Sequence, residues 1–187
     1  MNLPNKLTVL RIILVPFFII FALVDFPGSR ILALLVFIAA SVTDALDGHI
    51  ARSRNLVTNF GKFLDPLADK VLVISALVCF VELGLCSAVP VIIIIAREFM
   101  VSGLRLVTAN EGVVVPANIW GKLKTAFTMA SIVIILLAAA IKGVDISDHG
   151  AFLAITEQLL IWISAALTVV SGWTYLDAYK EYINTDM

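Results

Sequence analysis

The amino-acid sequence predicts an all-α integral membrane protein, with six transmembrane helices in a single domain over residues 1–187. Hydrophobic residues make up 61 % of the chain and charged residues 14 %, whereas soluble proteins average about 45–50 % and about 25 %. Several apolar stretches approach the roughly 20 residues that an α-helix needs to cross a bilayer. This composition leaves no room for a separate soluble domain, and the net charge of −1 does not indicate nucleic-acid binding.

Polar and turn-forming residues separate the six apolar stretches. Pro27 and Gly28 predict the first turn. Polar loops are predicted at residues 53–59, 109–116 and 142–150. The predicted spans are residues 7–24, 31–52, 61–85, 89–107, 117–141 and 151–175. Because the number of spans is even, both termini should lie on the same side of the membrane.

The positive charges of the chain are sorted toward one end of these spans. Of its 13 lysines and arginines, only Arg30 and Lys142 fall toward the other end. Loops rich in lysine and arginine stay in the cytoplasm. We therefore expect both termini, and a polar cavity at the same end of the helices, to face the cytoplasm.

Four aspartates lie within the otherwise apolar chain between residues 44 and 69. Aspartates at membrane depth are costly, so each one is a functional candidate. At about 100° per residue, the motif residues form one stripe on each of two successive helices. The first stripe holds Asp44, Asp47, Gly48, Ala51 and Arg52, and the second holds Gly61, Asp65 and Asp69. Residues 53–58 are short enough to turn the chain back, which would bring four carboxylates together as ligands for hard divalent cations.

These eight residues match the pattern D-x2-D-G-x2-A-R-x8-G-x3-D-x3-D, so the chain resembles the CDP-alcohol phosphotransferases. The stretches 2–11, 97–105 and 121–125 resemble bacterial members of that family that use CDP-diacylglycerol and sn-glycerol 3-phosphate. The resemblance implies the family's membrane fold and transfer of a phosphatidyl group between these two substrates, with release of CMP. It also implies a multi-pass enzyme of phospholipid biosynthesis in the bacterial plasma membrane, and a homodimer.

The resemblance assigns roles to the four aspartates. Asp44, Asp47 and Asp65 are implied as ligands of two Mg²⁺ or Mn²⁺ ions. Asp69 is implied either as a shared ligand or as the base that takes the acceptor's hydroxyl proton. Converging carboxylates repel one another unless cations neutralise them. The alternative is a structural network with nearby basic residues, but ion pairs would not require glycine at positions 48 and 61.

A second set of residues is assigned to the CDP-diacylglycerol donor. The small residues of the two stripes leave space that takes the cytidine in the family, although close helix packing uses the same residues. Arg52 is placed to bind a phosphate oxygen, or to act as an ordinary cytoplasmic anchor. The resemblance places Asn5 and Thr8 near the diphosphate, with interfacial capping as the alternative. The donor set is Asn5, Thr8, Gly48, Ala51, Arg52 and Gly61.

Four further cations predict a second anion site, for a phosphate on the acceptor. Arg97 lies near the middle of span four, and Arg105 follows it by two helical turns. Lys122 and Lys124 begin span five at the same level of the membrane. Arg97 has pairing with a nearby acid as its alternative role.

Other acceptors, another enzyme class and a transport function are the alternatives to phosphatidyl transfer onto glycerol 3-phosphate. Within the family, the acceptor could be phosphatidylglycerol, inositol phosphate or serine, and the cluster of cations disfavours serine. Membrane prenyltransferases also use aspartates and Mg²⁺, but they lack the D-G-x2-A-R element. A divalent-cation transporter could use the same aspartates, but the cations of spans four and five would hinder a cation path.

Overall fold

The computed structural model describes residues 3–53, 59–110, 112–113, 115–116, 118–142 and 150–180. This part of the chain is helical and contains no β-strand. Its six helices are α1 (Leu3–Leu23), α2 (Ser29–Ser53), α3 (Asn59–Glu82), α4 (Ala88–Asn110), α5 (Ile119–Lys142) and α6 (Gly150–Ala178). Each predicted span corresponds to one of these helices, which confirms the all-α fold class.

The helix ends differ from the predicted spans by a few residues. Helix α1 begins at Leu3, and α4 continues to Asn110, into the predicted loop 109–116. Helix α5 begins at Ile119 because the Asn118 side chain caps it: its Oδ1 accepts a hydrogen bond of 2.6 Å from the backbone N–H of Gly121. Most of the predicted loop 53–59 lies outside the described residues.

Helix α3 ends in a tight turn at Gly84, where φ is +68°. The N–H of Gly84 donates to the carbonyl of Val81, and that of Leu85 donates to the carbonyl of Phe80. This pair of bonds satisfies carbonyls that the helix end leaves without partners, and it needs a left-handed residue that glycine provides without strain. The turn allows α4 to return directly along the bundle.

Among the described residues, the helices pack around a main apolar core, and a second, small cluster contains Val101, Leu104 and Tyr175. Helix α1 packs against α2 and α3, α5 packs against α2 and α6, and α4 packs against α6. Phe18, Phe37 and Phe80 are fully buried, and the ring centroids of Phe18 and Phe37 are 5.7 Å apart. Large aromatic side chains at this spacing stabilise the contact between α1 and α2.

The outer surface of the bundle is strongly apolar. Phe152 and Trp173, on α6, are each 72 % exposed, and Ile119 is 77 % exposed. Inside, the buried hydroxyls of Ser131 and Ser164 lie 3.4 Å apart between α5 and α6. An apolar exterior over hydroxyl-bearing helix contacts is typical of helices packed in lipid.

Among the described residues, three helices are long and apolar enough to cross a membrane by length and composition: Asn5–Leu23, Ile119–Ile141 and Phe152–Ala178. They have mean hydropathies of 2.3, 2.1 and 1.8, respectively. Together with the apolar exterior, they identify a membrane protein, as the composition predicts.

Candidate active site

An ion pair with one buried partner connects the first two helices at the polar end of the bundle. Arg11 of α1 is fully buried, and its Nη1 lies 2.8 Å from Oδ1 of Asp44 on α2. Asn5 and Thr8, which the sequence places on the same face as Arg11, are buried as well. A buried guanidinium is costly unless an acid compensates its charge. The pair therefore fixes Asp44, the first aspartate of the motif, against α1.

Asp69 lies on α3, close to this pair. Both Asp44 and Arg11 are near enough to Asp69 to interact with it electrostatically. One carboxylate from each of the two predicted stripes therefore approaches the same region, as the motif predicts. The backbones of the other motif residues lie in α2 and α3. Only the backbone is described for the other six motif residues, which are Asp47, Gly48, Ala51, Arg52, Gly61 and Asp65.

Carboxylate oxygens are the ligands that Mg²⁺ and Mn²⁺ prefer, so the two described aspartates fit such a metal site by donor type. No group of three or more potential metal ligands occurs among the residues that the structure describes. That search includes only Asp44 and Asp69 of the four predicted ligands. The ligand set therefore stays a prediction.

A cavity of about 880 Å³, here called the main cavity, opens between α3, α4, α5 and α6. Asp69 contributes to its wall from α3. Three of the four cations predicted to bind the acceptor line it too: Arg97 and Arg105 from α4, and Lys122 from α5. These residues are separated by up to 53 positions in sequence (from 69 to 122), and the packing of the four helices brings them together.

The fourth predicted cation, Lys124, lies in a smaller adjoining cavity of about 40 Å³. Asp69 and Lys70 line this small cavity as well as the main one. Thr128 is buried in its wall, and the Thr128 hydroxyl has no hydrogen-bond partner in the described part of the chain. This volume and polarity suit an ordered water molecule beside Lys124.

Glu98 of α4 connects two of the cations. Its Oε1 accepts hydrogen bonds from Nζ of Lys124 and, at 3.1 Å, from Nη1 of Arg97. Nη2 of Arg97 also donates to the hydroxyl of Ser171 on α6, at 2.6 Å. The alternative that Arg97 pairs with an acid therefore holds, while Arg97 still lines the main cavity.

Arg105 and Lys122 have a different environment. Neither forms a salt bridge with any acid in the described ranges, and both side chains are exposed. Arg105 Nη2 donates to the hydroxyl of Tyr175 at 3.1 Å. Their charges are thus less neutralised than those of Arg97 and Lys124, and they face the space that a ligand could fill.

Lys70 and Tyr175 line the main cavity as well, and no sequence pattern indicates a binding role for either residue. Lys70 lines the main cavity, and its Nζ donates to the hydroxyl of Ser102. Its position directly after Asp69 is the available signal, but the sequence pattern places Lys70 only among the cytoplasmic charges and among the basic residues of the alternative structural network. Tyr175 contacts Arg105 across 70 positions of the sequence, so no local pattern could have indicated it.

Comparison with known proteins decides the family. A profile of the CDP-alcohol phosphatidyltransferases matches residues 1–170. The chain belongs to this family. The family predicted from the eight-residue pattern is therefore confirmed.

Three curated relatives cover almost the whole chain. A protein of Bacillus subtilis is 42 % identical over 200 aligned residues, covering 98 % of each chain. A protein of Rickettsia bellii is 41 % identical and covers 97 % of each. A protein of Haemophilus influenzae is 37 % identical, over 96 % of this chain and 94 % of its own. All three are named CDP-diacylglycerol--glycerol-3-phosphate 3-phosphatidyltransferase.

Proposed function

We propose that this CDP-alcohol phosphatidyltransferase transfers the phosphatidyl group from CDP-diacylglycerol to sn-glycerol 3-phosphate, giving phosphatidylglycerophosphate and CMP. Near-full-length relatives at 37–42 % identity share the name of this activity. The structural observation that carries the proposal is the juxtaposition of Asp69 with Arg105 and Lys122 around the main cavity. A carboxylate beside cations suits an acceptor that has both a hydroxyl to deprotonate and a phosphate to bind.

The phosphate of the acceptor would bind to the exposed cations of α4 and α5. A phosphomonoester has a charge of about −1.5 to −2 near neutral pH. Arg105 and Lys122 form no salt bridge with a described residue, so a dianion can take both as partners. Arg97 and Lys124 share Glu98, and their role would be to keep the surrounding potential positive. The volume of about 880 Å³ exceeds the size of glycerol phosphate and leaves space for the head of the donor.

Asp69 would take the proton from the attacking hydroxyl. Of the two motif aspartates whose side chains are described, Asp69 lines the main cavity, whereas Asp44 pairs with Arg11. The acceptor oxygen then attacks the phosphorus that carries the diacylglycerol. The bond between this phosphorus and the bridging oxygen breaks, and CMP leaves with that oxygen and the electron pair. Arg52 would bind the leaving phosphate, and Asn5 and Thr8 would lie near the diphosphate, with Gly48, Ala51 and Gly61 beside the cytidine.

Two Mg²⁺ or Mn²⁺ ions are proposed at Asp44, Asp47, Asp65 and Asp69. When bound, they would supply positive charge that polarises the phosphorus and stabilises the leaving phosphate. The same carboxylates could serve a cation transporter, but Arg97, Arg105 and Lys122 line the adjacent cavity and would repel a passing cation.

We further propose that all six helices cross a bacterial plasma membrane, with both termini and the main cavity at the cytoplasmic side. The sorting of lysine and arginine supports this orientation. The acyl chains of the donor would stay in the bilayer against the apolar exterior, while the water-soluble CMP leaves to the cytosol. A homodimer is proposed from the family resemblance alone.

The experiment is a transfer assay on purified protein in mixed micelles containing CDP-diacylglycerol. Separate reactions receive glycerol 3-phosphate, glycerol, phosphatidylglycerol, inositol phosphate or serine, and released CMP is measured. We expect release with glycerol 3-phosphate and little with glycerol, which lacks the phosphate. If CMP release depends instead on phosphatidylglycerol, inositol phosphate or serine, the compound that supports release is the acceptor. Cation flux into vesicles with no CMP release would favour the transporter.

A further inference from the structure

Tyr175, near the end of α6, contacts the two arginines of the main cavity. It is 2 % exposed. The guanidinium carbons of Arg97 and Arg105 lie 5.4 Å and 5.5 Å from the centroid of its ring. Both distances are within the roughly 6 Å at which a cation is attracted to an aromatic face. One buried ring on α6 therefore contacts both cations that α4 presents to the cavity.

The hydroxyl of Tyr175 forms three hydrogen bonds with neighbouring groups. It accepts hydrogen bonds of 3.1 Å from Nη2 of Arg105 and 3.1 Å from the backbone N–H of Asn118. It donates one of 3.3 Å to the carbonyl of Pro116. The side-chain amide nitrogen of Asn118 also donates a hydrogen bond of 2.8 Å to the hydroxyl of Thr174. The start of α5 is thus tied to α6 at the point where the Tyr175 hydroxyl meets Arg105.

The packing beside Tyr175 leaves little room for it to move. A Cβ added to Gly121 would lie 3.3 Å from the Tyr175 hydroxyl, and one added to Gly172 would lie 3.1 Å from Cγ of Arg97. Both distances are tighter than ordinary van der Waals contact. The glycines therefore allow α5 to approach the tyrosine and the Arg97 side chain to pack closely against α6.

We propose that Tyr175 is a positioning residue that holds Arg105, and through its ring Arg97, in the orientation that binds the phosphate of the acceptor. This inference rests on the proposed function. A free arginine side chain samples many rotamers, and ordering it on binding lowers affinity. Because the ring and hydroxyl order the guanidinium before the ligand arrives, the cost of ordering it is not incurred during binding. Tyr175 itself does not touch the reacting atoms in this proposal.

The test separates the hydroxyl from the ring by steady-state kinetics of the purified enzyme. Tyr175→Phe retains the ring and removes the hydrogen bond to Arg105. We expect the KM for glycerol 3-phosphate to rise about two- to tenfold, the range for one hydrogen bond, with little change in kcat. Tyr175→Leu removes the ring as well and should raise the KM about a further two- to fivefold. The KM for CDP-diacylglycerol should stay within twofold in both variants.

A double-mutant cycle distinguishes positioning from a merely structural role. In the Arg105→Ala background, Tyr175→Phe should change the KM for glycerol 3-phosphate by less than twofold, because the hydroxyl acts on the ligand through Arg105. An undiminished effect in that background would overturn the proposal, since it would mean that the hydroxyl only holds the Pro116–Asn118 segment. Trp173→Phe is the matched control: it changes an aromatic residue of α6 that is 72 % exposed and should leave both KM values unchanged.

Two further outcomes keep the result unambiguous. If Tyr175→Phe does not fold, Arg105→Lys replaces it: lysine retains the charge but lacks the planar group that meets the ring and hydroxyl. We then expect a similar rise in the KM, and an unchanged KM would overturn the positioning role. If Arg105→Ala itself leaves the KM for glycerol 3-phosphate unchanged, the proposed acceptor site fails. A rise with Arg105→Ala but none with Tyr175→Phe refutes only the role of Tyr175.

Discussion

Arg11 and Asp44 form an ion pair between α1 and α2, with 2.8 Å between guanidinium Nη1 and carboxylate Oδ1. The arginine is fully buried, whereas the aspartate side chain is 46 % exposed. The guanidinium therefore lies inside the bundle, whereas the carboxylate lies partly at its surface. This arrangement leaves part of the carboxylate accessible to further ligands while its position is fixed by α1.

The first prediction follows from this asymmetry. Arg11→Met should lower the free energy of unfolding by about 1–3 kcal/mol, less than for a fully buried pair because Asp44 is partly solvated. It should also reduce turnover, since Asp44 would lose the contact that fixes it. Thermal unfolding in detergent and CMP release measure the two effects. Lys6→Met, which removes an exposed cation from the same helix, is the control. Equal stability of the two variants would contradict a structural role for the pair.

The second prediction concerns the metal ions. We expect a chelator to abolish CMP release, and added Mg²⁺ or Mn²⁺ to restore it, because unneutralised carboxylates would repel the diphosphate. Asp44→Asn and Asp69→Asn should each lose most of the turnover while the protein still folds. Asp25→Asn is the control, because Asp25 is an exposed acid in the turn at the opposite end of α2. Full activity in chelator would contradict the two-metal site.

Much of this molecule could be predicted from the sequence because its strongest constraints are local. Apolar stretches of membrane length predict helices, and the fixed spacing of Asp44 and Asp69 within the motif predicts the family. Helix ends were less predictable. Hydropathy does not indicate that the Asn118 side chain caps α5, so that this helix begins at Ile119 rather than at residue 117.

Contacts between distant segments could not be predicted. Glu98 was visible beside Arg97 in the sequence, but its bond to Lys124 depends on how α4 and α5 pack. The contact between Tyr175 and Arg105 depends on α6 lying against α4. The four cations of the predicted acceptor site were identified by charge and membrane level. Only the packing divides them between the main cavity and the small one.

The third prediction concerns topology. Asn55→Cys, between α2 and α3, should react with a membrane-impermeant maleimide only when the cytoplasmic side is accessible. Ser147→Cys, between α5 and α6, should react from the outside. Cys79 is replaced in both variants. Cys86 is replaced too, although its thiol should react slowly. Burial is the main cause that raises the pKa of this thiol to about 11, and the nearby Glu157 adds to the effect. Labelling of Asn55→Cys from outside would reverse the proposed orientation.

The fourth prediction concerns the cations of the main cavity. Arg105→Ala or Lys122→Ala should raise the KM for glycerol 3-phosphate about ten- to a hundredfold, because each removes a charge-assisted hydrogen bond worth roughly 1.5–3 kcal/mol. The KM for CDP-diacylglycerol should barely change, because its diphosphate is assigned to Arg52 and the metal ions. Steady-state kinetics with each substrate varied in turn measures both constants.

The control for these variants is Lys180→Ala. Lys180 is a cation whose side chain is 71 % exposed and which pairs with Asp177, outside the main cavity. Its removal should leave both KM values unchanged, so that a general loss of positive charge cannot explain the effect of Arg105 or Lys122. A weakened donor with an untouched acceptor would place Arg105 and Lys122 on the diphosphate instead. The charges of the main cavity would then no longer favour a phosphorylated acceptor, and the choice among glycerol 3-phosphate, phosphatidylglycerol, inositol phosphate and serine would depend on the acceptor panel alone.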